Sequence, residues 1–198
     1  MKTFLFLFAV SFFFLSSCAQ KKSEIKIADK YFPNTLGTQY TYRVTDSLAK
    51  KTITVTVLIA GTSTLSNGQP VNIWTYKFPD HIDTNYVFND KDSVVFYGSR
   101  QLDRSKIEIL NSLHFPISVH RKWRVSFIGD SSTVINNTVF TQNGTSYQNT
   151  FLIHEYGHSY NYTINKYLWF TPNVGLVRMD YISLGVLQIW QLIDYSIK

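Results

Sequence analysis

Lys51-Thr52-Ile53-Thr54-Val55-Thr56-Val57-Leu58-Ile59 alternates with a period of two. On an extended backbone Thr52, Thr54 and Thr56 face one way, and Ile53, Val55, Val57 and Ile59 face the other. One face is apolar and the other polar, so the stretch reads as a half-buried β-strand. The same alternation recurs on both sides. Tyr40, Tyr42 and Val44 alternate with Thr41 and Arg43, and Trp123, Val125 and Phe127 alternate with Arg124 and Ser126. The segments 71–78, 94–97 and 174–182 are further strand candidates, rich in the β-branched and aromatic residues that suit a pleated surface.

Between these runs stand turn signals: Asn67-Gly68, Asn89-Asp90-Lys91-Asp92, Gly129-Asp130 and Asn143-Gly144. Asn-Gly between alternating runs marks a hairpin, because both residues tolerate positive φ. No segment of 18–198 carries a helical pattern. The expected fold is therefore all-β and antiparallel: a strongly curved sheet, a half-open barrel or a sandwich of many short strands. Composition agrees. Aromatic residues make up 16% of the chain, and Glu, a helix former, occurs three times.

The N-terminus has a different character. Met1-Lys2-Thr3 precedes a twelve-residue apolar run, 4–15, and then Ser16-Ser17-Cys18. A basic start, a short apolar core and small residues are the parts of a secretory signal. The run is well short of the roughly 20 residues a bilayer-spanning helix needs. Cys18 is the only cysteine in the chain, so it has no intrachain disulfide partner in an oxidising compartment.

Leu15-Ser16-Ser17-Cys18 resembles a bacterial lipobox. The resemblance implies a diacylglyceryl group on the Cys18 thiol and cleavage that leaves Cys18 as an acylated N-terminus. The chain then divides into a cleaved signal helix at 1–17, a lipidated flexible tether at 18–30 and one β-rich domain at 31–198. Each buried methylene contributes about 0.8 kcal/mol, so two or three acyl chains make a nearly permanent anchor. Ala19 is not the Asp that signals inner-membrane retention in some bacteria. Lys22-Ser23-Glu24 resembles the surface-export signal of some Bacteroidota lipoproteins. The expected location is the periplasmic face of the outer membrane, with the cell surface as the alternative.

Two further segments, Tyr31-Phe32-Pro33-Asn34-Thr35-Leu36-Gly37-Thr38-Gln39-Tyr40-Thr41-Tyr42 and Trp169-Phe170-Thr171-Pro172-Asn173-Val174-Gly175-Leu176-Val177-Arg178, resemble the opening and closing motifs of β-rich bacterial lipoproteins of uncharacterised function. That group looks related in architecture to the half-open barrels that carry lipoproteins or lipids to the outer membrane. The likeness speaks to fold and supplies no catalytic residues. There is also an internal echo. Phe32-Pro33 precedes Tyr40-Thr41-Tyr42 much as Phe115-Pro116 precedes Trp123-Arg124-Val125. A duplicated half-sheet and two unrelated strand lead-ins both fit it.

His154-Glu155-Tyr156-Gly157-His158 matches the zinc-hydrolase pattern His-Glu-x-x-His. In that chemistry a helix brings both imidazoles to one face and the Glu activates a metal-bound water. The flanks oppose a helix, being rich in aromatic, β-branched and Asn residues. On a strand His154, Tyr156 and His158 would share one face, with Glu155 and Gly157 on the other. A third ligand at the spacing of the long metalloprotease motif is absent from the sequence. The motif therefore reads as a strand with coincidental spacing, with a zinc-dependent hydrolase using His154, His158 and Glu155 as the alternative. His114 and His120, beside Phe115-Pro116, read as turn or surface residues.

The formal charge is +6, or +5 with 18 basic against 13 acidic residues once Lys2 leaves with the signal. These charges are scattered, whereas a nucleic-acid binder gathers them on one face. No glycine-rich phosphate loop and no Gly-x-Ser-x-Gly elbow appears in the sequence. The expectation is a non-enzymatic envelope lipoprotein that binds an apolar ligand, such as a lipid, or another envelope protein. A purely structural envelope role is a further alternative.

Overall fold

The computed structural model describes residues 28, 31–100, 103–124, 131–159 and 162–198. Cys18, the Gly129-Asp130 turn signal and the Val125 and Phe127 positions lie outside them. The described residues form twelve strands in chain order. The first six are β1 (Gln39–Asp46), β2 (Lys51–Thr64), β3 (Pro70–Lys77), β4 (Ile82–Asn89), β5 (Ser93–Arg100) and β6 (Asp103–His114). The second six are β7 (Lys122–Arg124), β8 (Ser131–Gln142), β9 (Thr145–Ser159), β10 (Tyr162–Thr171), β11 (Gly175–Ser183) and β12 (Val186–Ser196).

All twelve belong to one antiparallel sheet, ordered β6-β5-β4-β3-β2-β1-β12-β11-β10-β9-β8-β7. Each half is a meander of six, and the two join where the first strand pairs with the last, Val44 opposite Trp190. The sheet curls until its edges, β6 and β7, approach each other in a nearly closed barrel. There the Trp123 indole N–H donates to the Ser112 carbonyl at 2.8 Å. Curvature comes from twist and from bulges, such as those between Ile59 and Gly61 and between Val134 and Asn136. The expected all-β, antiparallel fold is thus what the chain forms, as a barrel rather than a sandwich. Strands run longer than expected, with 15 residues in β9 and 14 in β2.

The decisive stretch behaves as its pattern requires. Val55, Val57 and Ile59 are buried inside the barrel, while Thr52 and Thr54 are exposed. Tyr40, Tyr42 and Val44 of β1 are buried beside them. The Asn-Gly pairs differ in detail. Asn143 (φ 52) and Gly144 (φ 79) both take positive φ in the two-residue turn that joins β8 to β9. At Asn67-Gly68 only Gly68 does (φ 83), while Asn67 Oδ1 accepts from the Gln69 N–H at 3.1 Å.

One end of the barrel is sealed by the two Phe-Pro segments. Phe32 stacks on Trp74 at 5.1 Å and on Phe170 at 5.8 Å, and meets Phe96 edge-on at 5.4 Å. Phe115 packs on the same Phe170 at 6.5 Å, and the Phe115-Pro116 peptide is cis. Polar atoms in this plug are paired. The Trp74 indole N–H donates to Asn34 Oδ1 at 2.7 Å, and Asn89 Nδ2 donates to the Phe32 carbonyl at 3.1 Å. Ala28 is fully buried, and its carbonyl accepts from the Phe32 N–H at 2.8 Å.

Candidate functional site

Above the aromatic plug the barrel encloses a cavity of about 300 Å³, within the range of small-molecule sites. Inward residues of nearly every strand build it, because alternate side chains of a curled sheet converge on its axis. The lower wall is apolar: Phe32, Trp74, Phe96, Leu113, Leu168 and Phe170. The upper wall carries a polar collar of Tyr76, Asn85, Asn111, Glu155 and Lys166, beside Met179 and Trp190. The cavity is therefore amphipathic along its length.

Burial dominates the tyrosines. It raises the phenols of Tyr40 and Tyr42 well above their ordinary range. The Tyr42 hydroxyl donates to the Leu176 carbonyl at 2.9 Å. Tyr76 is pushed up to about 12 by burial, with the Asn85 side-chain hydrogen bond working in the opposite direction. All three are neutral phenols at physiological pH.

Glu155 is the most enclosed member of the collar, at 5% exposure. Asn111 of β6 donates from Nδ2 to Oε1 at 2.7 Å, and Lys166 Nζ lies 3.4 Å from Oε2. Glu155 and Lys166 sit directly opposite each other on β9 and β10. The Asn111 bond comes from the far half of the sheet, so it also ties the two meanders together across the β6–β7 seam.

The His-Glu-x-x-His residues lie on β9, and the strand separates them. Glu155 and Gly157 point inward and are buried. His154 points outward, where Nε2 bonds with Asn165 Oδ1 at 2.8 Å and the ring stacks on Tyr167 at 4.7 Å. His158 Nε2 meets the Tyr156 hydroxyl at 3.1 Å on the same outer face. Glu155 therefore cannot act as base beside a metal held by these two imidazoles. Among the described residues no three His, Cys, Asp or Glu side chains are grouped to hold a metal. Asp180 is engaged with Arg178 through two bonds of 2.7 and 2.9 Å. His114, at the end of β6, bonds with Ser112 at 3.2 Å, and His120 occupies a turn at φ 68.

Sequence reasoning placed Glu155 on the face opposite the imidazoles but did not find its partners. Lys166 was within reach, since it shares one strand face with Ile164 and Leu168. Asn111, Asn85 and Tyr76 carried no signal, because their meeting depends on long-range strand pairing.

No protein-family model matches the chain, and no curated protein matches it. Solved structures do. A candidate lipoprotein from Parabacteroides distasonis superposes with a TM-score of 0.53 at 14% identity, over 84% of this chain and 99% of that one. A candidate exported protein with a YmcC-like fold from Bacteroides fragilis gives 0.52 at 9% identity, over 84% and 98%. At such identities the likeness establishes a shared all-β fold.

Proposed function

We propose that the chain is a non-enzymatic lipoprotein of the bacterial envelope, anchored through Cys18 at the periplasmic face of the outer membrane, whose barrel binds an apolar ligand. The cavity carries this reading. A largely apolar chamber of about 300 Å³, closed below by stacked rings, is suited to an apolar guest. The signal and Leu15-Ser16-Ser17-Cys18 support the anchor, and the fold neighbours are themselves described as a lipoprotein and an exported protein.

Native mass spectrometry of the protein extracted from membranes without denaturation tests the proposal. The expected result is a co-purified amphiphile of defined mass. Spectra with neither a bound lipid nor a partner protein would overturn it.

A further inference from the structure

Among the described residues that line the cavity, Glu155 and Lys166 are the only ionic side chains. They are 3.4 Å apart, so the collar carries no net charge. Both Glu155 oxygens already have a partner, Asn111 on one and Lys166 on the other. Lys166 has three N–H groups, of which one is directed to Glu155. Tyr76 lines the same collar, and its phenolic O–H is a further donor. The collar thus offers spare donors around a compensated pair, above an apolar lower wall.

We infer that the cavity, on the ligand-binding reading above, takes an uncharged single-chain amphiphile, with its apolar chain among the plug rings and an ester or amide carbonyl accepting hydrogen bonds from Lys166 and Tyr76. Either kind of ion is disfavoured for the same reason. An anion would add a negative charge to a collar that is already neutral, and a cation a positive one. Each leaves one charge uncompensated in a partly buried collar. The volume, at the lower end of small-molecule sites, suits one chain rather than several.

Trp74 and Trp190 line the cavity, so intrinsic fluorescence reports binding directly. The full chain, transferred from detergent into an amphipathic polymer, is titrated with monododecanoylglycerol, dodecanoate and dodecyltrimethylammonium. The neutral ester is expected to bind about tenfold more tightly than either ion, and Lys166→Met to weaken the ester by about tenfold. Glu155→Gln keeps the shape of the side chain but leaves Lys166 uncompensated. It is expected to reverse the order, with dodecanoate becoming the preferred ligand.

Equal binding of all three probes by the unmodified chain would sink the inference while leaving an apolar cavity in place. So would an ester affinity that Lys166→Met does not change. Failure of every probe to bind would remove the ligand-binding reading itself. The comparison of the three probes on the unmodified chain decides the matter even if a variant does not fold.

Discussion

Glu155 is held from two sides, by Asn111 of β6 and Lys166 of β10, so its removal reaches further than one bond. Glu155→Ala would leave the Asn111 amide and the Lys166 ammonium without their acceptor. Lys166 is partly exposed and can recover some hydration, which limits the loss to about 1–3 kcal/mol. Urea denaturation should show that loss, with Glu155→Gln retaining most of the stability; equal stability of Glu155→Ala and the parent would mean the tie across the seam contributes nothing. At the other end of the chain, Cys18→Ala removes the only thiol to which an acyl group could attach. Membrane fractionation should find the unmodified chain with the outer membrane, resistant to a salt wash and labelled by radioactive palmitate. Cys18→Ala should lose the label, and retention of it would refute the anchor.

The elements owe their form to alternation and to a few turns that need particular backbones. The β8–β9 hairpin turns on Asn143 and Gly144, both at positive φ. A Cβ built on Gly144 meets nothing within 4 Å, so a side chain there would strain the backbone without clashing. Gly144→Ala should therefore cost about 1–2 kcal/mol, the ordinary penalty of the left-handed region. A denaturation midpoint unchanged by the substitution would show that the turn shifts to another type at no cost. Asn67-Gly68 looks the same in sequence, yet only its glycine needs the special conformation. The difference comes from loop length. The Gly68 N–H closes a turn onto the Leu65 carbonyl at 2.8 Å, and register resumes at Thr64 and Pro70.

At the scale of the molecule, two six-stranded meanders share one interior, and their Phe-Pro segments seal the same end of it. That shared role gives the internal echo of the sequence a structural counterpart, since each copy precedes the first strand of a half. The buried phenols make the barrel sensitive to alkali. Burial raises the folded-state pKa of Tyr40, Tyr42 and Tyr76, the last to about 12, whereas unfolded tyrosine ionises near 10. The folded state then holds protons that the unfolded state releases. The contribution of each is full below pH 10 and is lost as pH rises through its folded-state value, for Tyr76 between 10 and about 12. Urea midpoints should fall steadily across that window, with tyrosinate absorbance from these residues appearing together with unfolding. Tyrosinate growth complete by pH 11 in a still-folded barrel would contradict their burial.

The alternation in 51–59 determined by itself that this stretch is a strand and which of its faces is inward, because a pleated backbone sends successive side chains to opposite sides. The same rule placed His154 and Glu155 on opposite faces and so separated them as a catalytic set. Closure of the barrel, the joining of the halves through β1 and β12, and the meeting of Asn111, Glu155 and Lys166 were decided only by the tertiary structure. Strand pairing joins residues far apart in the chain, Glu155 to Asn111 across 44 positions, and no local period encodes which distant strand a given face will meet.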